Sequence, residues 1–259
     1  MRRVGWTVVA LVVLAILVGP ELAPHTATAP VAPPYSPPGV GGPLGTDHLG
    51  RDVFSRLLHG GRPMLLTSVV AALVGSGIGV LAGLFTALAT PGRSRFVLRP
   101  LDVLAAVPPI LVLLLVLTAL PDRTGLVLAV ALSGVPLSAR VTRAAAEQVV
   151  GRAHVEVAVA RGESWAWLLG REVLPLVAGT VLADLGLRFV TAVYLVAAAG
   201  FLGLSTSASD WGLLIVEALP GAALQPWALL APVLGIALVA VTANLGSDGL
   251  AQRSRSVLG

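Results

Sequence analysis

The sequence predicts an all-α membrane protein, a polytopic transmembrane helical bundle of about six helices. Of its 259 residues, 56% are hydrophobic and only 12% are charged, a balance that is rare among soluble domains. Several apolar stretches reach or approach the length that crosses about 30 Å of hydrocarbon. These stretches are continuous, whereas the strands of a transmembrane barrel alternate polar and apolar residues. The composition therefore favours one helical transmembrane domain.

Six apolar spans are predicted along the chain. The first follows Arg2 and Arg3, and a small-residue sequence at Ala27-Thr28-Ala29 would suit signal-peptide cleavage, but a retained helix is favoured. Glycines in the second span allow another helix to approach closely, and Pro108-Pro109 should kink the third span. The spans cover about residues 4–20, 64–89, 101–120, 124–141, 173–199 and 226–245. The span glycines are Gly75, Gly77, Gly79 and Gly83.

The positions of the arginines predict the orientation in the membrane. All 17 basic residues are arginines, and 12 of them fall in segments on one side if the N-terminus is inside. Arg188 lies within a span, and the outside segments hold Arg51, Arg56, Arg62 and Arg123. This asymmetry agrees with the positive-inside rule. It predicts a multi-pass protein of the cytoplasmic membrane with both termini in the cytoplasm.

The segment between the first two spans is predicted to lie outside. Residues 20–43 contain eight prolines, so this stretch should be extended and polyproline-like. Residues 44–62 are predicted to form a short helix, capped by Thr46 or Asp47. Asp52 and Arg56 would then lie one turn apart on the same helix face.

Two roles are open for this outer segment. It either contacts an external binding protein or braces an outer gate, or it is simply a capped helix at the membrane interface. The tryptophans Trp211 and Trp227 likewise either seal an outer vestibule or anchor the chain at the interface. The candidate residues for the outer role are Asp47, Arg51, Asp52, Arg56 and Trp211.

The long polar segment between two apolar spans, residues 142–172, holds the clearest functional signal. The pattern predicts a short helix near Glu156, a hinge at Gly162 and a new helix that begins at Leu174-Pro175. Such a protruding segment suits binding by a soluble partner protein. Glu156 is favourable near a helix N-terminus, but such a short helix is marginal alone in water. It therefore needs packing against its neighbours or into a groove of a partner. The alternative is an amphipathic helix on the lipid surface, anchored by tryptophans such as Trp165.

Asp184 and Arg188 lie within the fifth predicted span, four residues apart. A charge at the centre of a membrane helix costs roughly 2.5–3.5 kcal/mol on insertion scales, so both side chains should face the bundle interior or a water-filled path. Two interpretations remain. The pair either lines a charged translocation pathway suited to zwitterionic peptide termini, or it is a structural pair that holds helices together.

Other kinds of chemistry have weaker signals. The chain has no cysteine and four histidines without metal-ligand spacing, so no metal site is predicted, although His48 and His59 share the outer side. It lacks lysine and any Gly-x4-Gly-Lys-Ser/Thr loop, so we expect no nucleotide to bind this chain. A membrane-embedded enzyme needs a nucleophile and base at a span end, and an ion-driven carrier needs inverted repeats with midplane carboxylates. The arginines flank the spans, so no nucleic-acid partner is expected.

The polar segment resembles the EAA motif of a known family. The chain is similar to the inner-membrane permease subunits of ABC importers for dipeptides, oligopeptides and nickel, and within them to the second of two paired permeases. Two positions depart from the motif, Val157 in place of alanine and Glu172 in place of isoleucine. Further similar stretches are 44–56, 201–204 with Trp211-Gly212, Pro226-Trp227, and Asn244-Leu245 with Asp248-Gly249-Leu250. The residues in register with the motif are Glu156, Ala158, Gly162, Leu174 and Pro175.

The resemblance implies a type I ABC importer permease fold and a non-catalytic translocation subunit for dipeptides or oligopeptides, with nickel or another small solute as the alternative. It implies as partners a second homologous permease, one or two ATPase subunits that bind ATP and Mg, an external substrate-binding protein, and membrane lipid. It also implies three regions: residues 1–62 with the first helix and outer segment, a permease core at 63–250, and a cytoplasmic tail at 251–259. The residues implied to contact the ATPase are Glu156, Ala158, Gly162, Trp165, Leu174 and Pro175.

Overall fold

The computed structural model describes residues 2–204 and 206–257, with side chains described for residues 6–204, 206–244 and 246. These residues are mostly helical, and they contain two isolated β-bridges but no β-strand. The motif residues Leu245, Asp248, Gly249 and Leu250 lie on the last helix, outside the described side chains. The helices are α1 (Arg2–Leu22), α2 (Val53–Leu88), α3 (Pro91–Ala106), α4 (Pro109–Ala119), α5 (Arg123–Val150), α6 (Ala153–Ala160), α7 (Trp165–Trp167), α8 (Leu174–Phe201), α9 (Trp211–Ala218) and α10 (Pro226–Val257).

The predicted helical membrane fold is confirmed. Four helical stretches of the described residues are long and apolar enough to cross a membrane, and the bent pair of α3 and α4 makes a fifth if it is counted as one span. The shorter apolar helix at Trp6–Leu22 corresponds to the first predicted span. The four long stretches are Val53–Leu88, Arg123–Val150, Trp165–Phe201 and Pro226–Asn244.

The predicted kink at Pro108-Pro109 is a 95° bend between α3 and α4. Neither proline has an amide hydrogen, so the helical hydrogen-bond ladder stops there. Pro108 has extended backbone angles, and Pro109 begins α4. The third predicted span is therefore two helices, and the first of them starts at Pro91, ten residues earlier than predicted.

The glycines of α2 pack directly against α5. A Cβ atom added at Gly75, Gly79 or Gly83 would lie 2.6 Å from an atom of α5. This spacing of four residues places the three glycines on one helix face, and it allows the backbones to approach closely. Gly77 has no neighbour within 4 Å of an added Cβ, so the prediction of close packing is confirmed for three of the four glycines.

The outer segment folds back on itself and is not extended. The amide of Val31 donates to the Gly50 carbonyl at 2.8 Å, and the amide of Tyr35 donates to the Asp47 carbonyl at 3.1 Å. The prediction of an extended polyproline stretch is wrong because non-proline residues between the prolines supply donors and positive-φ glycines allow tight turns. Such glycines include Gly45, with φ +74°, and Gly50, with φ +75°.

The predicted short helix over residues 44–62 is also wrong. Helix α2 begins at Val53 and continues through Pro63 to Leu88. Its cap is Asp52, whose carboxylate accepts from the backbone amides of Phe54 and Ser55. Neither Thr46 nor Asp47 caps this helix: the Thr46 hydroxyl donates to the Pro33 carbonyl, and the Asp47 carboxylate accepts from the Arg51 amide and the Arg56 guanidinium.

Candidate functional site

The polar segment between α5 and α8 is shorter than predicted, because α5 continues to Val150 and leaves residues 151–173 as the connection. We call residues 151–173 the connecting segment. Within it, Val155 and Ala158 of α6 are fully buried. Val155 packs in a cluster at this end of the bundle with Leu84 of α2 and Val177 of α8. Helix α6 is therefore fixed to the ends of the long helices.

The opposite side of α6 is open. Val157 is 56% exposed and Val159 is 53% exposed, and Glu156 lies exposed in the first turn. Residues two apart do not share a helix face, so Val157 is the exposed valine on the side away from the bundle and Val159 lies beside the buried face. This surface suits a helix-in-groove contact with another protein.

Gly162 ends α6 in a conformation that favours glycine. Its φ is +77°, and its amide donates to the Val159 carbonyl at 2.9 Å while the Glu163 amide donates to the Ala158 carbonyl at 3.3 Å. These two bonds form a Schellman motif, which satisfies carbonyls at the helix end. An added Cβ would meet nothing within 4 Å, so the requirement for glycine comes from the backbone angle and not from crowding.

The return from Gly162 to α8 is helical almost throughout. Ser164 caps α7 through a hydrogen bond from the Trp167 amide at 3.3 Å, and the Trp165 ring contacts the Phe85 ring of α2 with centroids 5.5 Å apart. A π-helical stretch, Leu168–Val173, joins α7 to α8. Leu174 and Pro175 lie in the first turn of α8, where a proline is tolerated.

The departure of Glu172 from the family motif has a structural counterpart. Its carboxylate lies 3.8 Å from Nε2 of His154 on α6. This contact links the π-helical stretch to the short helix. The polar residue at position 172 therefore lies near the polar side chain of His154, beyond hydrogen-bond distance.

Four charged residues at the other end of the bundle form an outer ion-pair cluster, composed of Asp47, Arg51, Arg56 and Glu217. Asp47 Oδ2 lies 2.7 Å from Arg51 Nε and 2.6 Å from Arg56 Nη1. Glu217 Oε2 lies 2.9 Å from Arg51 Nη2 and 2.7 Å from Arg56 Nη1. Arg56 is only 2% exposed and also donates to the Ala208 carbonyl at 2.6 Å. The cluster ties the outer segment and α2 to α9.

The electrostatics of the cluster are those of a balanced set of two cations and two anions. Burial pushes the pKa of Asp47 upward, but hydrogen bonds from the amides of Arg51 and Leu49 and the nearby Arg56 guanidinium outweigh it and lower the pKa below its ordinary value. The carboxylate of Asp47 is therefore ionised, and both of its oxygens accept hydrogen bonds.

Among the residues predicted for the outer role, Asp47, Arg51 and Arg56 lie together in the structure. Asp52 lies apart from them. Asp52 does not pair with Arg56. It accepts from Ser55 Oγ at 2.6 Å and lies 3.3 Å from His25 Nδ1. Glu217 was missed by the sequence reasoning, although it is the one carboxylate in the apolar helix α9.

One histidine lies closer to carboxylates than the sequence indicated. Ligand atoms of Asp47, His48 and Glu217 lie within 4.8 Å of one another, so the absence of metal-ligand clustering predicted for the histidines does not hold for His48. The guanidinium groups of Arg51 and Arg56 already neutralise both carboxylates. This arrangement disfavours a cation at the same place.

Trp211 is buried in the bundle, 4% exposed, and its Nε1 donates to the Leu57 carbonyl at 2.8 Å. The interface-anchor interpretation therefore does not describe Trp211, whereas Trp227 is 43% exposed. The preceding residue, Asp210, caps α9 by accepting from the Gly212 amide at 2.9 Å. Burial raises the pKa of Asp210 to about 6, against the opposing effect of the amide hydrogen bonds.

The two charges within the long helix α8 contact each other and a neighbouring helix. Asp184 is 4% exposed, and its Oδ1 lies 3.2 Å from Arg188 Nε. Its Oδ2 accepts from Ser138 Oγ of α5 at 2.5 Å. The carboxylate therefore bridges α5 and α8 in the bundle interior.

These features define a class, an α-helical integral membrane protein that presents a short, bundle-anchored helix at one end. Residues 75–256 match the family described as binding-protein-dependent transport system inner membrane component. The chain belongs to this family, and its resemblance to ABC importer permeases is confirmed.

Several relatives of this chain are named as permease proteins of transport systems. The chain is 28% identical over 254 residues to the oligopeptide transport system permease protein OppC of Bacillus subtilis, covering 96% of this chain and 83% of the relative. It is 31% identical over 210 residues to the di/tripeptide transport system permease protein DppC of Pseudomonas aeruginosa, covering 80% and 69%. It is also 31% identical to the glutathione transport system permease protein GsiD of Pectobacterium atrosepticum, covering 80% and 70%.

A solved structure has the same fold. A chain of the MetNI methionine ABC transporter, in an inward-facing conformation, superposes with a TM-score of 0.65 at 15% identity. The match covers 76% of this chain and 95% of that chain. The expected type I importer permease fold is confirmed.

Proposed function

We propose that this chain is the non-catalytic translocation subunit of an ATP-driven importer for dipeptides or oligopeptides. The observation that carries the proposal is the connecting segment, in which α6 is anchored to the bundle on one side and exposes Val157 on the other. The relatives named for oligopeptide, di/tripeptide and glutathione transport support a peptide substrate. Nickel or another small solute is the alternative.

The partners follow from the division of labour. ATP and Mg bind one or two partner ATPase subunits, and α6 lies in a groove of such a subunit. Movement of the ATPase then acts on Val155, which packs in one cluster with the ends of α2, α5 and α8. Because these contacts are buried and close-packed, the motion passes to the long helices as a rigid-body displacement.

A second homologous permease completes the path, and a substrate-binding protein delivers the solute from outside. The proposed orientation has both termini and the connecting segment in the cytoplasm, and the outer ion-pair cluster on the external side. Asp184 acts as a structural bridge between α5 and α8, since both of its oxygens are occupied by Ser138 and Arg188.

The experiment is a comparison of two matched substitutions in the assembled transporter. Val157→Glu places a charge on the exposed face of α6, and Val40→Glu makes the same change at a 46% exposed position in the outer segment. We expect Val157→Glu to reduce co-purification of the ATPase and ATP-dependent uptake of labelled dipeptide by about tenfold or more, because a carboxylate in an apolar groove loses its hydration. Val40→Glu should leave the ATPase bound.

Equal ATPase retention in both variants would contradict the proposed contact. The substrate is tested separately in proteoliposomes that contain the intact complex and its binding protein. Uptake of nickel or another small solute without uptake of labelled di- or oligopeptides would overturn the peptide assignment while leaving the contact with the ATPase intact.

A further inference from the structure

Polar side chains lie on one exposed face of the long helix α8. Thr180, Thr191 and Tyr194 are all exposed, and so is Leu187 between them. These positions are separated by close to whole turns of an α-helix, so they share one face. At the rise of an α-helix the face extends about 21 Å, which is most of the hydrocarbon thickness. We call these four residues the hydroxyl face of α8.

The exposed faces of three other long helices are apolar. Every exposed residue of α2 between positions 66 and 85 is aliphatic, aromatic or glycine. The exposed residues of α10 at positions 230–241 are all apolar, and so are those of α5 at positions 128–137. Lipid tails offer no hydrogen-bond partners. These three faces therefore suit hydrocarbon, whereas the hydroxyl face of α8 does not.

The polar groups on and beside the hydroxyl face are only partly satisfied within the chain. The hydroxyls of Thr180 and Tyr194 have no hydrogen-bond partner among the described residues. The Thr191 hydroxyl donates to the Leu187 carbonyl at 2.9 Å and can still accept. Arg188 borders the face, and only its Nε donates to a described residue, whereas its terminal nitrogens do not. A guanidinium turned toward lipid is costly, so this side of α8 needs water or a polar ligand.

We infer that the hydroxyl face of α8 lines a water-filled path through the assembled transporter, and that its hydroxyls bind the backbone groups of a passing peptide. A hydroxyl both donates and accepts hydrogen bonds, so it suits the amide and the carbonyl of a peptide of any sequence. The bridge between Asp184 and Ser138 stays structural and lies behind this face. The identity of the solute rests on the proposed function, whereas the contact of this face with water is measurable without transport.

The test uses introduced thiols, because the chain contains no cysteine of its own. The reactive species is the thiolate, which is disfavoured in hydrocarbon and in a packed protein interface. A charged methanethiosulfonate reagent is placed on both sides of proteoliposomes that hold the intact transporter, with and without ATP. Mass spectrometry of this chain then gives the rate of modification at each position.

Leu187→Cys should be modified at least about tenfold faster than equally exposed leucines on the apolar faces, since its thiolate forms in water. The matched controls are Leu73→Cys on α2 and Leu234→Cys on α10. The three leucines are 55%, 54% and 57% exposed. Thr191→Cys provides a second position on the hydroxyl face if Leu187→Cys does not assemble.

Equal rates on all three faces would overturn the inference, even in a transporter that takes up peptide normally. Slow modification on the hydroxyl face would mean that a second permease or lipid covers it. Rapid modification there that saturating dipeptide and the binding protein slow would support the path and its peptide ligand. Rapid modification in a complex that transports only another solute would retain the path and reject the peptide.

Discussion

Arg56 and Glu217 are 161 residues apart in the chain, yet Nη1 of the arginine lies 2.7 Å from Oε2 of the glutamate. Arg56 belongs to the start of α2, and Glu217 belongs to α9 near the start of the last long helix. Asp47 contacts the same guanidinium nitrogen at 2.6 Å. Buried Arg56, together with Arg51, therefore holds the outer segment and α9 together.

Arg56→Ala should destabilise the folded protein by about 3–5 kcal/mol. Removing one member of a buried charge cluster leaves the remaining charges without compensation. Asp47 keeps Arg51 as a partner, which limits the loss. The measurement is thermal or denaturant unfolding of the purified complex, followed by tryptophan fluorescence.

The matched control is Arg140→Ala. Arg140 pairs with Asp102 at 2.6 Å, but both side chains are more than half exposed, so its loss should cost less than about 1 kcal/mol. Similar losses in the two variants would show that the outer cluster is no stronger than a surface ion pair.

The outer cluster shows where sequence reasoning stops. The spacing of four residues predicts only that Asp52 and Arg56 share a helix face, which is a local rule for helix surfaces. The observed partners of Arg56 depend on the folding of residues 23–52 and on the position of α9, neither of which has a local signal. The isolated glutamate in the apolar sequence of α9, Glu217, was the available clue, because such a residue needs a buried partner.

Gly162→Ala should destabilise the connecting segment by about 1 kcal/mol, since an L-residue is disfavoured at φ +77°. The end of α6 should fray, and the ATPase should be retained less well. The measurement is ATPase co-purification together with the hydrogen exchange of the α6 amides.

Gly203→Ala is a matched control for the backbone change. Gly203 has φ +76° and no neighbour within 4 Å of an added Cβ, and it ends α8 with the same pair of hydrogen bonds. This variant should lose similar stability but retain the ATPase. Loss of the ATPase in both variants would mean that general destabilisation explains the effect.

The connecting segment was more predictable than the outer cluster because its signals are local. The glycine at the end of α6 and the proline in the first turn of α8 act within a few residues of themselves. The π-helical stretch Leu168–Val173 has no such signal. Its form depends on Leu168 and Val173 both being buried against the bundle, and this is a tertiary constraint.

Asp210 should make stability depend on pH in a defined direction. Its pKa in the folded protein is raised to about 6 by burial, so the folded state holds a proton that the unfolded state has released between about pH 4 and pH 6. Stability from this group is therefore lost as pH rises through that window. The melting temperature of wild type relative to Asp210→Asn should fall between pH 4 and pH 7.

The Asp47 carboxyl provides a comparison of opposite sign. Its pKa is lowered in the folded protein, so its contribution is present above the ordinary carboxyl pKa and is lost as pH falls below it. Wild type should gain stability relative to Asp47→Asn as pH rises from acid toward neutrality. If stability relative to the asparagine variant changed with pH in the same direction for both residues, the environments assigned to Asp47 and Asp210 would be contradicted.

The bridge at Asp184 allows a rescue experiment. Arg188→Ala leaves a buried carboxylate whose remaining described partner is Ser138, and such a charge should cost about 3–5 kcal/mol of stability. Adding Asp184→Asn removes the charge while keeping an acceptor for the serine hydroxyl. The double variant should therefore be more stable than Arg188→Ala alone, and it should assemble in nearly normal amounts. Peptide uptake per assembled complex decides the role of the pair: normal uptake by the double variant agrees with a structural bridge. A large uptake deficit despite normal assembly would instead place these charges on the substrate path.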